Sequence, residues 1–437
     1  MSEQNRRAFL QQAAGIVGTA GILPAASLVA AGANERISLA LIGAGGRGTH
    51  VAEVFRKTGN VDIAWICDPD ESRRNKAAAT FGVDSQRVVA DLRKALDDRQ
   101  VDAVLVATPD HWHAPASILA CDAGKHVYVE KPCSHNVREG RLLVEAARRN
   151  KRLVQHGTQC RSTAMMTAAV AQLREGVIGD VLGTKVWNVQ RRNTIGKQSP
   201  SEPPAGFDYD TWVGPAPLVP YQANRVHGGW HWWYEFGTGD MGNDGVHDID
   251  YARWGLGVDT HPSFISAVGG KFFFDDDQQF PDTQQVTFEY PGDGQPGHRR
   301  FLVYEQRLWS TNYPYNVDSG VEFYGTKGQM FLSRRGKVQA TTDRNQKIEL
   351  GVPQGPQDEQ SHVANFLSAI RSGTPLNAEI EVGHLSSALC HLGNLATRLG
   401  RSLRFDPATE RILGDPEADR LVSREYRDSH WGTPKGV

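Results

Sequence analysis

The sequence predicts an α/β protein in two parts, a parallel sheet wrapped by helices and then an α+β region whose sheet is mostly antiparallel. Three observations carry this reading. Short apolar runs alternate with amphipathic stretches from residue 36 to about 155, the β-α-β texture that places parallel strands between helical layers. Over 156–437 the strands alternate apolar and polar residues and are separated by loops rich in Gly, Pro, Asn and Asp, as expected of antiparallel pairing. At 437 residues, with 39% hydrophobic and 22% charged residues, the chain is an ordinary globular one long enough for two domains.

The first stretch, 1–33, stands outside this pattern. Asn5-Arg6-Arg7-Ala8-Phe9-Leu10 is a twin-arginine signature, an apolar Ala/Gly-rich segment follows, and Ala31-Gly32-Ala33 fits a small-x-small cleavage site. The segment reads as an export signal for the twin-arginine machinery, which places the rest of the chain in the periplasm. An uncleaved anchor facing the periplasm is the alternative, but Gly15, Gly18, Gly21 and Pro24 make a poor spanning helix.

The first strand, Ile37–Ile42, runs into Gly43, Gly45 and Gly48, spaced G-x-G-x-x-G, and a helical pattern follows over Thr49–Lys57. Gly43 allows a tight turn, Gly45 lets backbone approach a pyrophosphate, and Gly48 lets helix pack on strand; Gly46 and Arg47 complete the turn. The helix N-terminus points N–H groups and partial positive charge at phosphates. A second strand, Val61–Cys67, ends in Asp68, twenty residues after Gly48. An acid there suits the ribose hydroxyls of NAD and repels the 2′-phosphate of NADP, though Arg73 and Arg74 could blunt that repulsion. A dinucleotide site follows.

Strands over Ala103–Ala107, His126–Val129 and Arg152–His156 and helices over Glu71–Phe81 and Val137–Arg149 complete the first region. After the strand at Ala107 comes Thr108-Pro109-Asp110-His111-Trp112-His113, where ligands bind in open α/β sheets. Thr108, Pro109 and His113 are read as packing on the nicotinamide half of the cofactor. Asp110, His111 and His113 could be metal ligands, but no partner cluster of ligand spacing follows, so no metal is assigned. Next, Val129 leads into Glu130-Lys131-Pro132. Proline restricts the residue before it to extended geometry and aims Lys131 off the sheet edge, where an ammonium suits polarising a substrate oxygen or relaying a proton.

In the second region the strands fall at Val181–Val189, Phe264–Phe274, Thr283–Tyr290, Arg299–Glu305 and Gly320–Gly325, the closing helices at Asp358–Ser372 and Val382–Arg401, and 405–437 reads as an irregular tail. Gln198–Gly228 lacks periodicity and reads as a long ordered loop, usually functional in a compact domain. Helical spacing from Val246 puts Asn243 and His247 on one face, with Asp244 beside them. A histidine of near-neutral pKa is the usual base for an alcohol. The run Trp230-His231-Trp232-Trp233-Tyr234-Glu235-Phe236 suits stacking on sugar rings or a core patch.

A net charge of −2 gives no electrostatic case for nucleic acid. The five scattered cysteines have no C-x-x-C spacing and suggest neither zinc nor a disulfide framework.

Gly43–Gly48, Thr108-Pro109, Glu130-Lys131-Pro132 and Gly245-x-His247 with Asp250 together resemble the Gfo/Idh/MocA oxidoreductases. The resemblance implies a Rossmann domain over 36–155 and, over 156–437, an α+β domain with a large, mostly antiparallel open sheet whose face often forms the oligomer contact, so a homodimer or homotetramer is expected. It makes Lys131 and His247 catalytic. The family commonly has an aspartate at the position of Asn243; asparagine accepts no proton but can orient His247 or hold a hydroxyl, and Asp244 is the substitute if the turn is shifted. Candidate substrate contacts are Trp112, Arg161, Trp230, His231 and Tyr234. The expected activity is NAD(P)-dependent oxidation of a secondary hydroxyl on a sugar, glycoside or polyol. NAD is expected to be tightly bound, since free cofactor is scarce outside the cytoplasm. The competing readings are a glycoside hydrolase that oxidises C3 transiently on bound NAD, and a non-catalytic cofactor- or sugar-binding protein.

Overall fold

The computed structural model describes residues 36–437 except Gly294 and Pro296; the segment 1–33, read above as an export signal, lies outside the described residues. The alternating region forms a parallel sheet of β1 (Ile37–Ile42), β2 (Val61–Cys67), β3 (Val88–Val89), β4 (Ala103–Val106), β5 (His126–Val129) and β6 (Val154–His156), in the order β3-β2-β1-β4-β5-β6. Between the strands run α1 (Gly46–Thr58), α2 (Glu71–Phe81), α3 (Arg93–Asp97), α4 (Asp110–Asp122) and α5 (Val137–Asn150). All four residues of β4 are buried, because both sheet faces are covered. The strand order reverses at β1 and β4, and the loops leaving these two strands part there to open a crevice. Asp70 caps α2 and Asn136 caps α5 by accepting backbone N–H bonds, whereas no side chain caps α1.

The second region adds α6 (Ala164–Arg174), β7 (Val181–Asn188), α7 (Tyr209–Val213), α8 (Val246–Leu256), β8 (Phe264–Gly270), β9 (Thr283–Tyr290), β10 (Arg300–Arg307), β11 (Ser319–Gly325), β12 (Gly328–Ser333), β13 (Lys337–Thr342), β14 (Lys347–Ile348), α9 (Glu359–Ser372), α10 (Ile380–Leu399), β15 (Leu403–Asp406), β16 (Arg411–Ile412) and α11 (Pro416–Arg420). Its strands form one ten-stranded sheet, β14-β13-β12-β11-β7-β10-β9-β8-β15-β16. Every pairing is antiparallel except β7 with β10. Strands β12 to β16 were not foreseen: they are short or, as in Lys-Val-Gln-Ala-Thr-Thr of β13, lack clean alternation. The tail read as irregular from 405 therefore begins inside β15 and carries β16 and α11.

Period-two patterning gives this sheet one buried face. Leu302 and Tyr304 of β10, Val286 and Phe288 of β9 and Val321 and Phe323 of β11 pack against Ile249 of α8 and Leu389 and Leu392 of α10. The α9 helix returns to the first sheet, where Phe366 meets Phe55 and Tyr128 edge-on. The N-terminal sheet thus completes its core with a helix from the far end of the chain.

The stretch between β7 and β8 builds an aromatic core of its own around Phe207, Trp212, Tyr221, Trp232, Trp233 and Phe236. It docks on the N-terminal region through hydrogen bonds from Glu71 N–H to the Gly206 carbonyl and from Asp208 N–H to the Pro69 carbonyl.

Candidate active site

The glycine turn is shaped by what surrounds each Cα. Gly43 has φ +92°, and a Cβ there would lie 2.6 Å from the Ala107 backbone. A Cβ on Gly48 would lie 1.9 Å from the Gly43 carbonyl oxygen. These two glycines are required by the fold itself. Gly45 differs: a Cβ there would meet only the Arg73 guanidinium, at 2.9 Å, and nothing of the backbone. It faces a cleft lined by the turn, Asp68, Arg73, Thr108, Pro109 and Trp112.

That cleft fits a dinucleotide. The uncapped α1 offers its first N–H groups and its dipole to a pyrophosphate, and Arg73 adds a cation beside it. Thr108 Oγ1 is buried with no hydrogen-bond partner among the described residues. Asp68 is buried and accepts from Ala44 N–H at 2.8 Å and Asp70 N–H at 2.9 Å, while burial raises its pKa. One lone pair on each oxygen remains for ribose hydroxyls.

Trp212, Trp230 and Trp431 close the cleft from outside. Trp230 and Trp212 come from the long segment between β7 and β8, and Trp431 from the C-terminal tail. Arg93 lies 4.1 Å above the Trp431 ring, and Trp112 packs 5.4 Å from it.

Beside this cleft a second one is lined by Lys131, Asp244, His247, Arg334 and Arg335, with Arg47 and Glu359 at its edge. A wide turn over Met241–Gly245 feeds into α8 and brings the Asn243 group to the β5 loop. Lys131 Nζ donates to the Asn243 carbonyl at 2.5 Å and to its Oδ1 at 3.1 Å. Asn243 Nδ2 donates to Asp240 Oδ1 at 3.1 Å. Asp244 is paired with Arg192 and, at 2.9 Å, with Arg334. Burial favours its neutral form, but Arg334, Lys131 and Arg192 outweigh this and hold it well below the usual carboxylate range. Asp244 is therefore an ion-pair member and no free base, and it sits within the turn. His247 is buried, and Nδ1 has no partner among the described residues. Burial, then the charges of Arg334 and Lys131, push its pKa well below the ordinary value, so the ring is neutral and able to accept a proton.

Glu130 and Arg47 do not point into the cofactor cleft as free groups. Glu130 is buried under the sheet edge, and Arg47 binds it at 2.8 Å and Glu359 at 2.6 Å, tying α1 to α9. His113 bridges two loops, with Nδ1 2.6 Å from the Pro132 carbonyl and Nε2 2.8 Å from the Thr108 carbonyl. It holds the cofactor loop to the loop of Lys131 without lining either cleft.

Of the candidate substrate residues, Trp112 and Trp230 line the cofactor cleft instead. His231 lies near Lys131 and Arg192, and burial with both charges lowers its pKa. Arg161 is corrected: it is paired at 2.7 Å with the buried Asp250, which has no side-chain exposure, and stacks on Trp254. Tyr234 is also elsewhere, its hydroxyl donating to the Gln279 carbonyl and its ring facing a separate cavity. Sequence reading missed Asp240, Arg192, Arg334 and Trp431. The four-residue spacing of Asp240, Asp244 and Asp248 was the available signal for the first; nothing local marks the others.

All five cysteines are buried and free. Among the described residues one trio has metal-ligand proximity, His261, His384 and Glu410. Its Glu410 Oε1 already accepts from Arg141 at 2.7 Å, and none of the three lines either cleft. Among the described residues no helix is long and apolar enough to cross a membrane.

Residues 37–158 match the model of an oxidoreductase family's NAD-binding Rossmann fold, and residues 186–432 match that of its C-terminal alpha/beta domain. The inositol 2-dehydrogenase 4 of Saccharopolyspora erythraea is 31% identical over 148 residues, 33% of this chain and 43% of that protein. Glycosyl hydrolase family 109 protein 1 of a Shewanella species is 29% identical over 163 residues, 34% of each chain. The chain thus spans less than half the length of these relatives. A solved levoglucosan dehydrogenase, in complex with NADH and levoglucosan, superposes with TM-score 0.64 at 18% identity, covering 84% of this chain and 99% of that one; the fold is the same.

Proposed function

The chain belongs to the Gfo/Idh/MocA oxidoreductase family, and from that premise we propose that it oxidises a secondary hydroxyl of a sugar, glycoside or polyol using bound NAD. The observation that carries this is the meeting of Lys131, Asn243 and His247 at one cleft beside the glycine turn. NAD, when bound, supplies the hydride acceptor. Gly45, the N-terminus of α1, Asp68 and Thr108 are the groups to hold it. Neutral His247 takes the hydroxyl proton. The Lys131 ammonium, fixed by two bonds to Asn243, polarises the same oxygen. Asp244, saturated by Arg192 and Arg334, anchors the turn and takes no proton.

Preference for NAD over NADP rests on Asp68, and Arg73 is the residue that opposes it. Tight retention rests on the cover formed by Trp212, Trp230 and Trp431 over the cleft. Export by the twin-arginine route to the periplasm rests on the Arg6-Arg7 signature. Self-association as a dimer or tetramer rests on the exposed Val268 of β8 and Phe301 of β10, with the exposed Phe272 and Phe273 just past the end of β8.

Mass spectrometry of the purified protein should find about one NAD per chain. A dye-linked screen of sugars should then show turnover that Lys131→Ala and His247→Ala each lower by about a hundredfold or more. Absence of nucleotide, or near-parental turnover in both variants, overturns the reading. The hydrolase relative makes the second assay an aryl glycoside: release of the aglycone with no net NADH would replace net oxidation by hydrolysis.

A further inference from the structure

We propose that the cavity between the N-terminus of α5, the end of α10 and the C-terminal tail is a second small-molecule site, for a neutral, hydroxyl-rich compound of monosaccharide size. Its volume is about 340 Å³, within the range of small-ligand pockets. It shares no lining residue with the cofactor cleft or the catalytic cleft.

Five buried polar atoms on its lining residues have no hydrogen-bond partner among the described residues: Asn136 Nδ2, Arg424 Nη1, Glu235 Oε2 and both ring nitrogens of His135. Asn136 is 5% exposed and the Arg424 side chain 8%. In Asn136 and Arg424 the other polar atoms are engaged, which fixes the free one. Asn136 Oδ1 accepts from Glu139 N–H at 2.9 Å. Arg424 donates through Nε to Glu139 at 2.8 Å and through Nη2 to the His111 carbonyl at 2.8 Å. Buried polar groups are costly without partners, so this lining is built for a polar occupant.

The chemistry of the lining selects that occupant. The free donors of Asn136 and Arg424, the free acceptor of Glu235 and the neutral His135 ring, which offers one of each, suit hydroxyl groups, which serve both roles. A carboxylate or phosphate could use the donors but would face the Glu235 oxygen. The charges agree: Arg398 and Arg424 are matched by Glu235 and Glu425, so the cavity carries no net charge to attract an ion. One wall is apolar, with Phe280 and Tyr234 rings 4.6 Å apart and Leu395 alongside, which suits the C–H face of a pyranose.

The test is co-crystallisation of the unaltered chain with D-glucose and, in parallel, calorimetric titration of D-glucose and D-gluconate. We expect density in this cavity with a hydroxyl at Glu235. In solution we expect glucose affinity on the order of millimolar, weakened about tenfold or more by Glu235→Gln and by Asn394→Leu, Asn394 being a further residue of the cavity wall, both without change in NAD content. Only water in the cavity, glucose binding at crystal concentration only, equal binding of gluconate, or titration unaltered in both variants overturns the proposal. Because the crystal reads occupancy directly, an inactive enzyme leaves this test intact.

Discussion

Replacing Asn243 by aspartate restores the common residue of the family, yet the structure predicts that it introduces a pH-dependent defect. Asn243 faces two groups of opposite charge, with Oδ1 3.1 Å from Lys131 Nζ and Nδ2 3.1 Å from Asp240 Oδ1. An aspartate gains attraction to Lys131 and loses the donor to Asp240. Two carboxylate oxygens 3.1 Å apart repel by about 5 kcal/mol at an effective dielectric of about 20. The attraction to Lys131 is of similar size, so the pair relieves itself most easily by sharing one proton. The shared proton recreates the donor that Asn243 supplies. Asp240 is already raised by burial, so the pair should titrate above the ordinary carboxylate value of about 3.9. Below that titration Asn243→Asp should run near the parental rate; above it kcat/KM should fall by about tenfold, the scale of one lost charged hydrogen bond. Asn243→Leu should be poor at every pH, by about 1–3 kcal/mol, because it strands Asp240 and Lys131 together. The assay is kcat/KM against pH for all three proteins, with NAD content measured alongside. A flat, parental profile for Asn243→Asp refutes the reasoning.

Gly48→Ala places a Cβ 1.9 Å from the Gly43 carbonyl oxygen, so it should lower stability by about 1–3 kcal/mol and empty the site of nucleotide; an NAD-loaded variant of parental melting temperature would count against the turn geometry. Trp431→Ala should speed NAD release by about fivefold, the size of one aromatic contact of about 1 kcal/mol, as read by rapid dilution into an NAD trap; unchanged release would show that the tail does not cover the cofactor. Acid should destabilise the fold early. Burial pushes His111 and His391 down to about 3 and His156, His261 and His362 to about 4, so these rings stay neutral in the fold and protonate on unfolding below about 6.5. Each depressed histidine contributes stability that is lost as pH falls from about 6.5 toward its folded value, about 1 kcal/mol between pH 7 and 5.5. Asp110, raised by burial to about 7, and Asp248, raised to about 6, act in the opposite sense and offset part of that. Over these seven groups the net is a loss of about 4 kcal/mol in that interval, to which the depressed His135, His231 and His247 add in the same sense, and urea midpoints at the two pH values should differ clearly.

The parts of this protein that were legible in its sequence are those set by neighbours along the chain. Gly43 and Gly48 are dictated by a turn a few residues long, Asp68 by the end of the next strand, and Asn243 with His247 by helical spacing. What was illegible depends on register between distant strands. Arg192 follows β7 and Arg334 follows β12, and both reach Asp244 only because β11 pairs with β7 on one side and β12 on the other. Arg161 was misread for the same reason: its partner Asp250 is 89 positions away. An exposed-looking arginine became half of a buried ion pair. Tyr234 and Trp230 are four apart in a run of aromatics, yet face different cavities, since the segment folds around its own core without a regular period.

The departure at Asn243 follows from the charge balance of the whole cluster. Asp240, Asp244 and Asp248 recur every four residues and so share one side of the wide turn and α8. Arg192 binds Asp240 and Asp244, and Arg334 binds Asp244 and approaches Asp248 at 3.5 Å. With Lys131 counted, three cations face three acids. A fourth carboxylate at 243 would leave a buried negative charge unmatched, and it would do so beside His247, whose neutral state rests on burial and then on the charges of Arg334 and Lys131. Asp240→Asn therefore should rescue Asn243→Asp: the double variant keeps the count of three acids, returns a donor to the 240–243 contact, and should lose the alkaline fall in kcat/KM that the single variant shows. If the double variant keeps that fall, the defect lies in the contact with Lys131 and not in the pairing of the two acids.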